Sequence, residues 1–470
     1  MANSTPSSIL ILGSGVFGLS TAHSLASRPE YANSKITLVD RSVFPAPDAA
    51  SIDSSRIIRA DYADYAYASL MTEAAKHWRG DFGAKGHYDQ SGLCITIEDA
   101  GGDDGGGRAY MRKSLENVRK LGLKVGDLES GRRRDGSVQV SVLEGQQDVR
   151  TALKGFRGIG GSKGYVNWTS GWADAEVGMK VMRKMVEETG RVAFKRAEVS
   201  RLHYSADRVS AVEFTSGEQQ TADLIILATG AWTPKLLDLR GRASTTGQSL
   251  AYVNITDAEQ AQLSQNPVLL NESTGMFIIP PRNNVLKVAR HGYGYANPTR
   301  IPHPEKAAAA SSEKITVSLP WTHVDDPSLS IPREADQACR TFLQECIGSD
   351  PALQDLATRP WTQTRLCYYT DTPTGDWIVS YHPQYKNLFV ATGGSGHAYK
   401  FLPVVGERIV DVVQGIRRDG LGQELEGKWR WPEQRVKEDH IWTGDWRGGK
   451  KFMVLAEELG RGNRDGVAKM

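Results

Sequence analysis

The feature that most constrains this chain stands at its start. An apolar run, Ile9-Leu10-Ile11-Leu12, enters Gly13-Ser14-Gly15-Val16-Phe17-Gly18, and a second run, Ile36-Thr37-Leu38-Val39, ends on Asp40. Strand, G-x-G-x-x-G turn, helix, strand and terminal acid in that order specify a β-α-β unit that holds a dinucleotide. Each glycine has its own reason. Gly13 makes the tight turn, Gly15 lets the backbone approach a pyrophosphate, and Gly18 lets the helix lie close on the strand. The helix N-terminus then faces the phosphates. Asp40 follows Gly18 at about the ~20-residue spacing of a carboxylate that binds a ribose hydroxyl, which argues against a 2′-phosphate there.

Such a unit is only part of a chain of 470 residues. A single core stops growing at roughly 250–300 residues, so two domains are expected. After the unit at 8–40, residues 65–78 read as an amphipathic helix with Leu70, Ala74 and Trp78 on one face, and 101–107 as a glycine-aspartate surface loop. Residues 173–189 read as a helix through Val177, Val181 and Met185, 191–214 as short strands, and 223–230 as a buried parallel strand ending in glycine. Between 240 and 365 the rhythm changes. Met276-Phe277-Ile278-Ile279 and Val285-Leu286-Lys287-Val288-Ala289 predict an antiparallel sheet, and the α/β pattern returns at 388–394 with a helix from near Leu402 toward Gly415. The expected architecture is an α/β Rossmann-like dinucleotide domain built discontinuously from 1–95, 165–240 and 365–430. An α+β substrate domain with a large, mainly antiparallel sheet takes 96–164 and 241–364, and 431–470 form a C-terminal tail.

Composition narrows the function. Lysine and arginine total 57 against 55 acids, a net charge of +2, so neither nucleic acid nor an anionic membrane is indicated as partner. No apolar stretch approaches the ~18 residues of a membrane span. Cys94, Cys339, Cys346 and Cys367 form no C-x-x-C and no disulfide framework, which fits a reducing compartment. The reading is a soluble intracellular chain with a small-molecule partner. There is no H-E-x-x-H, G-x-S-x-G or G-x-x-x-x-G-K-S/T, so metal, acyl-transfer and nucleotide-hydrolysis chemistry have no local signature. The glycine clusters at 158–161 and 292–294 lack a third glycine, leaving one dinucleotide site.

Three segments carry a resemblance. Ser55-Arg56-Ile57-Ile58-Arg59, Arg365-Leu366-Cys367-Tyr368 with Thr370-Asp371, and Gly394-Ser395-Gly396-His397-Ala398-Tyr399-Lys400 resemble the signature segments of the monomeric sarcosine oxidase family. Together with Ala228-Thr229-Gly230-Ala231-Trp232 they place the chain near the FAD-dependent amine oxidases of the D-amino-acid-oxidase-like superfamily, including fungal saccharopine, pipecolate and fructosyl amino acid oxidases. The resemblance runs from residue 8 to about 415. It implies FAD as cofactor, oxygen as acceptor, and a monomer. It assigns Gly13, Ser14, Gly15, Val16, Phe17, Gly18, Asp40, Arg41, Ser54, Ser55, Arg56, Val199, Gly230, Trp232, Cys367, Gly394, Gly396 and Lys400 to the cofactor, and Lys287, Arg56, Arg59, His291, His397 and Lys400 to the catalytic site.

The resemblance also gives roles. Cys367 matches the cysteine joined through sulfur to the flavin 8α-methyl, a bond that needs a thiolate with a cation beside it, and Arg365 is one such neighbour. Read from its residues alone, Cys367 is equally a small buried hydrophobe, the reading taken for Cys94, Cys339 and Cys346. Arg59 and Lys400 match the cations that clamp a substrate carboxylate, although surface ion pairs use the same residue types. Arg56 positions either flavin or substrate. Lys287 lies among apolar strand neighbours, where an inward lysine is costly unless paired or functional. It matches the family's oxygen-activating lysine, the alternative being an edge-strand lysine in water. His291 and His397 match histidines near the flavin or are satisfied core residues.

The implied reaction is oxidation of a secondary-amine amino acid to an imine with release of hydrogen peroxide. Ser55-Arg56-Ile57-Ile58-Arg59 favours the sarcosine, pipecolate and saccharopine branch over the fructosyl branch, which carries a lysine near this point. An N-methylated aromatic amino acid is the alternative substrate, with Tyr62, Tyr65 and Tyr67 shaping an aromatic pocket. An NAD-dependent dehydrogenase and a dinucleotide-binding scaffold without turnover are the other readings. Ala468-Lys469-Met470 resembles a peroxisomal address read by an import receptor; without it the expected place is the cytoplasm.

Overall fold

The structure is a computed structural model that describes residues 5–99, 106–306, 313–436, 447 and 453–460. Residues 101–105 of the glycine-aspartate loop expected at 101–107 and the Ala468-Lys469-Met470 ending lie outside the described residues, as does most of the expected tail; Gly107 already begins the helix Gly107–Lys120.

A six-stranded sheet carries the N-terminal motif, in the order Val192–Arg196, Lys35–Asp40, Ser8–Leu12, Leu224–Leu227, Leu388–Thr392, Ile378–Tyr381. The first five run parallel and the last pairs antiparallel at the edge. Parallel strands covered on both faces should be apolar throughout, as Ile9-Leu10-Ile11-Leu12 and Leu224-Ile225-Ile226-Leu227 are. Alternation then sorts their side chains. Ile9, Ile11, Ile36, Leu38, Leu224 and Ile226 pack under the helices Val16–Ser27, Ala175–Glu188 and Val405–Gln414. Leu10, Leu12, Val39, Ile225 and Leu227 pack instead on Leu202, Val209, Val212 and Phe214 of a small antiparallel sheet. Ser8–Leu12 stands where the strand order reverses, and in open sheets of this kind ligands bind at the carboxyl ends of strands at that point.

An 11-stranded sheet forms the second layer system. Its centre is antiparallel: Ser244–Asn254 pairs with Val285–Arg290 on one side and Gln363–Asp371 on the other, with Tyr252 opposite Lys287 and Gln248 opposite Cys367. One face packs on the helix Arg333–Ile347 through Ala335, Cys339, Phe342, Leu343 and Cys346. The other face carries Leu250, Tyr252, Phe277, Ala289 and Cys367. By period-2 alternation Lys287 and Arg365 share that face, which looks toward the cofactor domain.

The expected fold class, a Rossmann-like domain with a mainly antiparallel α+β partner, is the one observed. Three boundaries differ. Leu93–Ile97, Lys163–Asn167 and Gln363–Asp371 are strands of the larger sheet, so the expected limits at 95, 165 and 365 fall inside strands. Leu93-Cys94-Ile95-Thr96-Ile97 is buried along its whole length, so no polar alternation marks which sheet it joins. The C-terminal helix begins at Val405 after a 3-10 turn at Tyr399–Phe401, later than the expected start near Leu402.

Candidate active site

The cleft between the two sheets is built first by the glycine turn. Gly13 adopts a φ of +103°, and a Cβ there would lie 2.5 Å from the Ala228 carbonyl oxygen. A Cβ on Gly18 would collide with the Gly13 carbonyl, whereas one on Gly15 meets nothing within 4 Å. Gly15 therefore faces open space at the helix N-terminus, a cradle for a phosphate. Asp40 stands opposite, its Oδ2 accepting from Ser14 N–H at 2.8 Å and Ser14 Oγ at 2.7 Å, its Oδ1 from Ser42 N–H at 3.0 Å. Oδ1 keeps acceptor capacity for a ribose hydroxyl.

The cleft encloses about 1340 Å³, its open mouth included. It runs from Asp40, Arg41, Val199 and Trp232 past Gly13, Ser14, Gly15 and Gly230 to Arg56, Tyr369, Gly394, Gly396 and His397. Arg41 lies 4.2 Å over the Trp232 ring and pairs with Asp48 at 2.6 Å, closing one end. Gly18, Ser54 and Ser55 lie behind the wall. The residues present therefore fit FAD: a phosphate cradle, a ribose carboxylate and a long apolar trough lined by both domains.

Cys367 lies just behind Ala50 and Arg56, which do line the cleft. Arg56 Nη2 donates to its sulfur at 3.4 Å, and Sγ faces the Ala50 carbonyl at 3.8 Å. The sequence assigned the neighbouring cation to Arg365. The structure assigns it to Arg56, because Arg365 donates to the Ile52 and Ala49 carbonyls at 2.6 and 2.7 Å and so shapes the loop. The other cysteines are core residues, as expected; burial pushes the Cys94 and Cys339 thiols up to about 12.

At the far end Arg59 and Lys400, 8% and 6% exposed, converge on one ring. Arg59 Cζ lies 5.4 Å and Lys400 Nζ 5.2 Å from the Tyr62 centroid, and Tyr110 is 5.8 Å from Arg59. Lys400 donates to the Tyr62 hydroxyl at 2.9 Å and the His397 carbonyl at 3.0 Å, and among the described residues to no carboxylate. Burial, and then the Arg59 charge, push its ammonium well below the usual lysine range. His397 Nε2 donates to the Gly375 carbonyl at 2.9 Å, so Nδ1 is the bare nitrogen and accepts from Tyr62 at 3.1 Å. Burial, then Lys400, hold this imidazole neutral; burial, then Arg447, do the same for His291, whose Nδ1 lies 3.3 Å from the Tyr369 hydroxyl. Of the three expected pocket tyrosines, Tyr62 and Tyr67 are buried with centroids 5.6 Å apart, and Tyr65 is exposed.

Lys287 is an interior residue. Its Nζ donates to Asp53 Oδ2 at 2.6 Å and to the Ser55 carbonyl at 3.0 Å. The structure thus gathers the expected residues into three groups, of which Arg56 and His397 line the cleft, and it adds four that sequence reasoning did not single out. Asp53 meets Lys287 and Tyr252 meets Asp53; Tyr369 meets His291 and Arg447 lies over the Tyr369 ring. The Arg447 guanidinium, 1% exposed, donates to Asp371 at 2.8 Å and the Ser395 carbonyl at 2.8 Å and lies 5.4 Å over Tyr369. Asp53 lies two residues before the motif Ser55–Arg59, so proximity to it was the available signal; Arg447 had none. Among the described residues no cluster of histidine, cysteine and carboxylate side chains could hold a metal ion, and no helix is long and apolar enough to cross a membrane.

Known proteins resemble this chain along most of its length. An amino acid oxidase of Aspergillus flavus, imqH, is 34% identical over 91% of this chain and 98% of its own length. L-saccharopine oxidase of Schizosaccharomyces pombe is 28% identical over 92% and 95%. A solved structure of a fructosyl peptide oxidase superposes with a TM-score of 0.78 at 23% identity, covering 96% of this chain and 98% of that one, which speaks to the fold. The model of one family, described as FAD dependent oxidoreductase, matches residues 8–412. With the glycine turn, Asp40 and the two-domain cleft already in place, the chain belongs to the FAD-dependent oxidoreductase family.

Proposed function

We propose that this protein is an oxidase of the C–N bond of a secondary-amine amino acid, producing an imine and hydrogen peroxide. The observation that carries the reading is the pair Arg59 and Lys400, two buried basic groups that both approach the Tyr62 ring, with Lys400 three residues past the cleft-lining His397. Bringing them together costs Coulomb energy and desolvation, which a carboxylate bound between them offsets. FAD held by the Gly13–Gly18 turn and Asp40 would supply the two-electron oxidation of the carbon beside nitrogen, with oxygen as the final acceptor. The chain does the rest. Arg59 and Lys400 fix the carboxylate and so the α-carbon, and the apolar walls favour the amine in its neutral form. Lys287 places an ammonium where negative charge develops on oxygen. Cys367, with Arg56 Nη2 3.4 Å from its sulfur, is the attachment point for the flavin 8α-carbon. Peroxisomal residence, the reading given to Ala468-Lys469-Met470, suits an enzyme that releases peroxide.

The rings of Tyr62 and Tyr110 against Arg59 favour a second reading, in which the substrate is an N-methylated aromatic amino acid. One experiment tests both: anaerobic addition of sarcosine, L-pipecolate, L-saccharopine, fructosyl-lysine or N-methyl-tyrosine to the purified yellow protein, followed by air. The expected result is bleaching by a secondary amine, and recovery with one peroxide per turnover. No bleaching by any member would overturn the proposal.

A further inference from the structure

The carboxylate that meets Lys287 is shared, dry and well supplied with donors. Asp53 has a side chain 0% exposed beside a lysine 3% exposed. Its Oδ2 accepts from Lys287 Nζ at 2.6 Å and from Arg56 Nη1, and its Oδ1 accepts from the Tyr252 hydroxyl at 2.6 Å and the Ser54 N–H at 2.7 Å. Lys287 completes its shell with the Ser55 carbonyl at 3.0 Å and stands 5.5 Å from the Phe277 ring. The ionisable groups facing the pair are Arg56 from the strand Arg56–Ile58, Tyr252 from Ser244–Asn254, and Arg365, Cys367 and Tyr369 from Gln363–Asp371. Three cations therefore surround one anion.

That balance decides the state of Lys287. Burial and the neighbouring Arg56 work against its charge while Asp53 works for it, and the ammonium is lowered to about 8. Asp53 is burdened by burial too, yet Lys287, Arg56 and Arg365 hold it well below the usual carboxylate range. Near neutrality the carboxylate is ionised and most of the lysine charged. Take the carboxylate away and the lysine faces two guanidinium groups with no offset.

We propose that Asp53 is the positioning residue of Lys287: with Tyr252 orienting its carboxylate, it fixes the ammonium at the sheet face and keeps it charged at working pH. The proposal rests on the reading of Lys287 as the group that faces oxygen. It also explains why one short segment carries both Asp53 and Arg56. The loop that brings Arg56 to the Cys367 sulfur brings the counter-ion that lets Arg56 and Lys287 stand side by side.

The test compares wild-type holoenzyme with Asp53→Asn, Asp53→Glu and Lys287→Met in two measurements. The first is stopped-flow reoxidation of the substrate-reduced enzyme by oxygen across pH. Wild type should slow as pH rises through about 8. Asp53→Asn should slow at a pH roughly 1–3 units lower, Asp53→Glu should return the limb toward wild type, and Lys287→Met should be slow with no such limb. The second is denaturant unfolding over the same pH range, which involves no turnover. Lys287 in the folded chain has a lower pKa than the unfolded value of 10.5, so between about 8 and 10.5 the unfolded chain binds more protons and stability rises with pH. Asp53→Asn should extend that rise to lower pH, and Lys287→Met should lose it. A limb unmoved in Asp53→Asn overturns the proposal. If Lys287→Met reoxidises like wild type, the oxygen reading of Lys287 fails, and the unfolding series alone then decides the Asp53–Lys287 coupling. If Asp53→Asn does not fold, Asp53→Glu decides: its longer arm should lower the plateau rate about 10-fold or more, and a wild-type plateau overturns the positioning role.

Discussion

Lys400 carries a charge that its surroundings oppose, and that opposition is what makes it useful to an anion. With burial and Arg59 both lowering its pKa, a bound carboxylate gains most where the ammonium is still protonated, so affinity for an anionic substrate should fall as pH rises. Lys400→Met should weaken substrate binding about 10–100-fold, the range for one charge-assisted hydrogen bond, and anaerobic titration of flavin bleaching reads it directly. An unchanged dissociation constant would remove Lys400 from the clamp. Cys367 makes a separate prediction. Acid precipitation should leave yellow colour in the pellet for wild type and release it to the supernatant for Cys367→Ala; colour retained by the variant would show attachment elsewhere. These side chains were legible in the sequence because each lies in a short motif whose residue types have few other uses together. Their partners were not. Arg56, and not Arg365, faces the sulfur because a two-residue period places Arg365 on the same strand face but aims its guanidinium at the carbonyls of Ile52 and Ala49.

At the scale of an element, the glycine turn separates two kinds of glycine. Gly18 is enclosed by the chain itself, while Gly15 faces only the cleft. Gly18→Ala should therefore unfold at lower denaturant and lose FAD, whereas Gly15→Ala should unfold as wild type does and bind FAD less well. Equal stability loss in both would mean that Gly15 serves the fold and not the ligand. This turn could be read in advance because its constraints are local: a positive φ, a close carbonyl and a helix start within six residues. The strand Leu93–Ile97 could not, since burial on both faces erases the alternation that shows which sheet a strand joins. Lys287 is an intermediate case. Its strand was evident, but only the pairing of Lys287 with Tyr252 on one side and Ile279 on the other shows that it lies inside the sheet and not at its edge.

At the scale of the whole molecule, Arg447 and Met453–Val454 join elements far from them in sequence. Met453–Val454 extends the larger sheet beside Tyr295–Ala296, and Arg447 inserts between Asp371 and the Ser395 carbonyl, on the segment that carries His397. Breaking a buried ion pair by removing one partner costs about 3–5 kcal/mol, so Arg447→Met should lower the denaturant midpoint and, through Ser395, raise the substrate KM. A variant with wild-type stability and KM would show that the segment is only an adornment of the sheet. Nothing in the sequence pointed to Arg447, because its partners lie 76 and 52 residues away. The sequence by itself determined the dinucleotide turn, the acid at the end of the second strand, and the α/β rhythm broken by a β-rich insertion. These depend on backbone conformation and residue type over spans of a few residues. Tertiary structure decided which charges meet: Asp53 with Lys287 across 234 residues, Arg56 with Cys367 across 311, and Arg59 with Lys400 around Tyr62. Electrostatic energy depends on distance and burial, and neither is set until the two sheets close on one another.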